Sequence, residues 1–423
     1  MRISAARSGL VALGLLVGGC GSDPSSSTGS GDGLIRAEAA CDLKGLVAPL
    51  RQTVILVDAR AIHKVKDAAE FAKNVDFRDL VLSIADPVKA VDSGTTAPRE
   101  RIIIAVVPSD GSAASTAFTG CLPGLSADEL AKANSEQSAL GSAFSSSPAG
   151  QIEKDAAAFR LRLIGGMVAA AGKADGAPST QRGPIDGLTF LQGVRSSRAL
   201  LDSRNKTQRL VLISDLSGAE VGSIGADGPF AAGAAAGNRA GGDFALSEIH
   251  VALPKGRVSP DREFLRGYFL AQQGLLVSSA AGRIGPPTPA PIRVRRFAGE
   301  VAYPSGPQLT DIRIGEDAKG NLAGSWLTLL GDPRFAVPLT GQISCARPDS
   351  CRVASDNAGF AQIWTGKTGG PPSFSNQLPF GGMRNFDLRI EGDRLTGRAF
   401  DPDVYLGADK SKNSIAISAA QKQ

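Results

Sequence analysis

Thr53-Val-Ile-Leu-Val-Asp58 is a continuous apolar run that stops on an aspartate. A run without polar alternation has no face to give to water, so it predicts a buried strand of a parallel sheet. The same reading applies to Arg101-Ile-Ile-Ile-Ala-Val-Val107, closed by Pro108, and to Gln208-Arg-Leu-Val-Leu-Ile-Ser-Asp215. Glu248-Ile-His-Val-Ala-Leu-Pro254 is a fourth such run. Helical spacing lies around and between these strands. Val65, Ala68, Ala69 and Ala72 share a face within residues 64–73, and residues 125–143 are rich in alanine and leucine. Ile152, Ala156, Phe159, Leu163 and Met167 make an apolar stripe over residues 151–171, and residues 190–202 and 261–274 add two more helices. Strands alternating with helices predict an α/β fold with a doubly wound, mostly parallel sheet over residues 38–285. Ligands of such folds sit beyond the carboxyl ends of the strands, where Asp58 and Asp215 are expected.

From these motifs the segment resembles a von Willebrand factor A domain. In that family the first strand ends in Asp-x-Ser-x-Ser, a later helix follows a Gly-Gly-Thr-Asp-like approach, and a further strand ends near an aspartate and glycine. Together these hold a divalent cation. Asp58 matches here, but the two serine positions are Arg60 and Ile62. The helix approach is Gly183-Pro-Ile-Asp186, with Ile185 at the threonine position, and Leu216 replaces the glycine after Asp215. The carboxylates Asp58, Asp186 and Asp215 are thus the candidate metal ligands, without the hydroxyls that would complete an oxygen shell. Arg60 brings a fixed positive charge, and pairing with Asp58 or Asp215 is the expected use of it. No functional metal site and no cofactor are therefore expected. The glycine- and alanine-rich stretch 221–243 follows the Asp215 strand and reads as a long loop or inserted segment on the binding face.

Residues 283–291 include Gly-Pro-Pro-Thr-Pro-Ala-Pro, a stiff linker and a domain boundary. Beyond it the pattern turns to short alternating runs such as Ile292-Arg-Val-Arg-Arg-Phe297, Phe386-Asp-Leu-Arg-Ile390 and Ser414-Ile-Ala-Ile-Ser418. Strands with turn signals and no helical stretch predict an all-β sandwich or small barrel over residues 286–423. Trp326, Trp364 and Phe400 are read as sheet core rather than as a ligand stripe.

The amino terminus carries Arg2 and Arg7, an apolar run from Gly9 to Val17, and then Gly18-Gly19-Cys20. This resembles a bacterial lipobox, which implies a signal peptide over residues 1–19 and diacylglycerol (with further acylation such as palmitate) on Cys20. Residues 20–37 open with a serine- and glycine-rich stretch and read as a flexible tether. Residue 21 is glycine, and by resemblance to lipoproteins of diderm bacteria this favours the outer membrane over the inner. Four further cysteines, Cys41, Cys121, Cys345 and Cys351, fit two disulfides in an oxidising compartment. Three pairings are open, and Cys41–Cys121 with Cys345–Cys351 keeps each bond within one domain. Zinc is disfavoured by the cysteine spacing and by a total of two histidines.

Hydrophobic residues make up 42 percent of the 423, enough for a sizeable core. Loss of the signal arginines lowers the formal charge from +5 to about +3. Without a basic block interleaved with aromatics, nucleic acid is not an expected partner. His63 and His250 have no nucleophile motif beside them. These features lead to a membrane-anchored envelope lipoprotein that binds another envelope protein or acts as a scaffold, rather than an enzyme. A metal-dependent adhesion protein and an envelope hydrolase are the alternatives.

Overall fold

The buried apolar runs set the middle of a seven-stranded sheet in the computed structural model. The structure describes residues 34–41, 50–62, 75–92, 95–140, 147–175, 187–201, 206–214, 216, 228–241, 244, 247–253, 261–282, 284, 289–303, 306–329, 334–356, 362–364, 385–400 and 414–422. The helix expected over 64–73 lies outside them. The first part comprises β1 (Ile35–Ala37), β2 (Arg51–Asp58), α1 (Ala59–Ile62), α2 (Val75–Ala85), α3 (Lys89–Asp92), β3 (Arg101–Val107), β4 (Ser115–Cys121), α4 (Ala127–Leu140), α5 (Pro148–Asp175), α6 (Gly187–Ser196), β5 (Thr207–Ile213), α7 (Gly228–Ala240), β6 (Glu248–Leu253), α8 (Arg262–Leu270) and β7 (Leu275–Ala281).

The strand order is β1-β4-β3-β2-β5-β6-β7. Every pair from β3 to β7 is parallel, β4 runs antiparallel to β3, and β1 runs parallel to β4. Without β1, this is the order of a doubly wound sheet with one reversed strand. The order changes direction between β2 and β5, so the switch point lies beyond Asp58. Helices cover both faces, as expected. Leu80, Ile84, Phe159 and Met167 pack with Ile55, Val57 and Ile104 on one face. Phe190, Val194, Phe264 and Phe269 pack with Val54, Leu56 and Leu212 on the other.

Several boundaries differ from the sequence reading. The sheet takes in Ile35–Ala37, within the span that the sequence predicts as tether. β4 and β7 were not anticipated. β7 is an edge strand with mostly half-buried residues, so it lacks the buried-run signature. The stretch read as a loop contains α7, which packs along α8. A Cβ at Gly233 would lie 1.9 Å from Phe264 O, and one at Gly237 would lie 2.3 Å from Tyr268 O. Gly267 answers from α8, where a Cβ would lie 2.1 Å from Phe230 O. Glycine and alanine here let two helix backbones approach closely, a use that composition alone does not distinguish from a loop. The Asp261 carboxylate accepts from Glu263 N at 2.7 Å and starts α8 one residue later than expected.

The second sheet comprises β8 (Arg293–Tyr303), β9 (Gly306–Glu316), β10 (Ser325–Leu329), β11 (Arg334–Leu339), β12 (Gly341–Arg347), β13 (Ser350–Asp356), β14 (Gln362–Trp364), β15 (Asn385–Glu391), β16 (Arg394–Phe400) and β17 (Ser414–Gln421). Its order is β12-β13-β15-β16-β17-β8-β9-β10-β11-β14, and every pairing is antiparallel. Ile343 N donates to Gly320 O at 2.8 Å, bringing β12 back to the β9–β10 turn. The result is a nearly closed, barrel-like sheet. Alternating residues such as Phe386, Leu388, Ile390, Ile415 and Ile417 fill one core.

Residues Leu34–Gln423 form one compact unit that contains both sheets. Leu50 N donates to Pro291 O at 2.8 Å, and Trp326 packs with Leu270, Phe230 and Leu275. Trp326 is therefore core, at the contact between the sheets. Phe400 is half-buried, and the Trp364 side chain is outside the described residues. The disulfides Cys41–Cys121 and Cys345–Cys351 are both formed, as the simplest pairing anticipated. The second joins directly opposed residues of β12 and β13. Among the described residues, no helix is long and apolar enough to cross a membrane.

Candidate functional site at the carboxyl end of the parallel sheet

β2 delivers Asp58 to the switch point, and α1 starts at the next residue. The Arg60 backbone N donates to Asp58 Oδ1 at 2.9 Å, which folds the chain back over the carboxylate. The Arg60 guanidinium then grips the same group. Its Nε lies 2.9 Å from Oδ1 and 3.1 Å from Oδ2, and its Nη2 donates to Oδ2. From the end of β5, Ser214 Oγ donates to Asp58 Oδ2 at 2.7 Å. Ser214 Oγ in turn accepts from Leu216 N at 3.1 Å. Leu216 is buried with φ of 47°, a left-handed conformation that glycine would adopt without strain.

Both oxygens of Asp58 are thus occupied by protein donors. The side chain of Asp58 is 4 percent exposed against 27 percent for Arg60, so the cation caps a buried carboxylate from the solvent side. An arginine cannot leave its charge behind, and a divalent ion at these oxygens would have to displace it. Asp186, Asp215, His63 and Cys20 lie outside the described residues. Among the described residues, no group of acidic, histidine or cysteine side chains is arranged to hold a metal ion.

His250 lies in the middle of β6, with its ring fully buried. Its Nδ1 is 2.9 Å from Ser278 Oγ, and its Nε2 has no partner among the described residues. Burial, together with the charges of Arg209 and Arg51, pushes its pKa down to about 3. A general base works best with a pKa near the operating pH, so this histidine is a poor activator of a serine.

Among the described residues, a larger polar network lies at the opposite end of the sheet. Glu100, just before β3, is fully buried and receives Arg51 Nε at 3.0 Å, Arg51 Nη2 at 2.7 Å and Arg209 Nη2 at 3.2 Å. Thr53 Oγ1 and Ala97 N also donate to it. Arg209 Nε donates to Thr53 Oγ1 at 2.8 Å, and its Nη2 donates to Thr96 Oγ1 at 2.9 Å. Burial opposes the Glu100 charge, but the two arginines outweigh it and hold the carboxyl below its usual range. Burial and the neighbouring Arg51 push Arg209 down to about 10. Across the contact, burial and Arg296 push Arg313 of β9 down to about 10, while Glu248 acts in the other direction. The sequence reading missed this cluster. Its one local signal was Arg209, a charge inside a strand otherwise read as buried. No protein-family model matches the chain, and no curated protein matches it by sequence.

Proposed function

We propose that the chain is a membrane-anchored envelope lipoprotein that binds another envelope protein or acts as a scaffold. In this reading the α/β part is a von Willebrand factor A-like domain whose cation position is taken by an arginine. The observation that carries it is the saturation of Asp58 by Arg60 and Ser214 at the switch point. Arg60 stands where the family resemblance places a metal-binding serine. The strand order around β2 and β5 supports the same reading. Two disulfides fit a chain that works on the oxidising side of a membrane. Attachment to the membrane would come from the lipid on Cys20.

Calorimetric titration of the folded mature protein with magnesium and with calcium tests the metal part. The expected result is no heat beyond dilution. Saturable binding that disappears in Asp58→Asn would replace this reading with metal-dependent adhesion. Radiolabelled lipid incorporation that is lost in Cys20→Ser tests the anchor. Crosslinking in intact cells should then recover a defined envelope partner. A chain that crosslinks to nothing would rule out the binding role.

A further inference from the structure

A groove of about 390 Å³ runs between α5 and the ends of β1 and β4, away from Asp58. This is within the size range of sites for small organic ligands. Ile152, Ala158 and Phe159 form its helix wall, with Ala37 and Leu125 among the residues opposite. Phe159 is fixed by edge contact with Phe118 at 5.4 Å between ring centroids. The Cys41–Cys121 disulfide ties the end of β1 to β4, and Cys121 lines the groove. The walls are therefore held by core packing and by a covalent bond.

The groove follows α5 from Pro148 to Arg162, about 21 Å at the helical rise. Its polar groups are ordered along that length. Arg162 stands at one end. Among the described residues, its guanidinium bonds only to Arg36 O at 3.5 Å and has no carboxylate partner. Asp155 lies about two turns earlier and accepts from Gln151 Nε2 at 2.9 Å. An anionic head is attracted at the Arg162 end and repelled near Asp155, while the apolar walls suit a hydrocarbon tail. We infer that this groove binds the single chain of a fatty acid, with its carboxylate on Arg162. The inference is independent of the lipid on Cys20 and of the Asp58 site.

The test uses the oxidised mature polypeptide, residues 20–423 with Cys20→Ser, titrated calorimetrically with dodecanoate below its micelle concentration. One saturable site is expected. Arg162→Gln should weaken it about tenfold, the scale of one charge-assisted contact. Ala158→Trp should fill the groove and abolish binding, and Ala158 and Arg162 are both exposed, so circular dichroism should be unchanged. Dodecyltrimethylammonium should bind at least tenfold more weakly than dodecanoate. The absence of saturable heat from folded protein overturns the inference. So does equal binding of the two amphiphiles, or undiminished binding in Ala158→Trp.

Discussion

The two ends of the parallel sheet handle buried charge in different ways. At the carboxyl end one aspartate meets one arginine and one hydroxyl, and the arginine remains partly in water. At the amino end Arg51, Arg209 and Glu100 are all but fully buried, and the barrel-like sheet packs nearby through Leu50–Pro291 and Trp326. The carboxyl end is where an α/β sheet places ligands. The amino end has the larger network but no opening to solvent in its side chains. Density of charge alone is therefore a poor guide to a functional site. Burial separates a structural network from a surface that meets other molecules.

The comparison is tested hardest by removing the carboxylate at the amino end. Glu100→Gln removes the carboxylate that hydrogen-bonds both buried arginines and leaves the more distant Glu248 to offset them, and the expected loss is about 4 kcal/mol of unfolding free energy, read by urea denaturation. A change below about 1 kcal/mol would show that water or rearrangement relieves the cluster, and the contrast between the ends would fail.

His250 extends the same end to a pH effect. Its pKa is about 3 when folded and near 6.5 when unfolded, so below pH 6.5 the unfolded chain takes up the proton first. Its contribution is complete above pH 6.5 and is lost as pH falls towards 3. Between pH 6.5 and 4.5 the loss should be about 2 kcal/mol, and His250→Gln should flatten that part of the profile. The carboxyls of Glu100, Asp86 and Glu129 are held low and so lose their contribution only further into acid. Identical slopes for the two proteins would mean that His250 is hydrated or ionised in the fold.

The smallest effect belongs to the carboxyl end. Arg60→Ala removes a partly exposed ion pair and should cost about 1 kcal/mol or less in the same denaturation assay. A loss as large as that of Glu100→Gln would erase the difference between the two ends.

How much of this was legible beforehand depends on how local each signal is. Strands β2, β3 and β5 were plain because the side chains at their centres are apolar, and β6 because Ile249, Val251, Ala252 and Leu253 flank its one histidine. The pairing of Arg60 with Asp58 was legible because the residues are two apart and an arginine stood where a hydroxyl was expected. β7 was missed because an edge position tolerates serine and alanine, and β4, which lies between β1 and β3, because Ser115, Thr116 and Thr119 interrupt its apolar run. α7 was missed because its glycines serve a neighbour 31 residues or more along the chain, as Gly233 does Phe264. Glu100 gave no signal, since its partners Arg51 and Arg209 are 49 and 109 residues away.

The parallel core and the change to an antiparallel second sheet were readable from the chain alone, whereas three disulfide pairings stayed open until the fold brought Cys41 to Cys121 and Cys345 to Cys351. The two readable features follow from hydrophobic period and turn residues, which act over short stretches. The assembled fold is what completes the shell of Asp58 with Ser214, joins Arg51, Glu100 and Arg209 in one network, and leaves an apolar groove between α5 and the disulfide. Each of these depends on side chains brought together from distant strands, where burial sets the cost of a charge and neighbours set whether that cost is met.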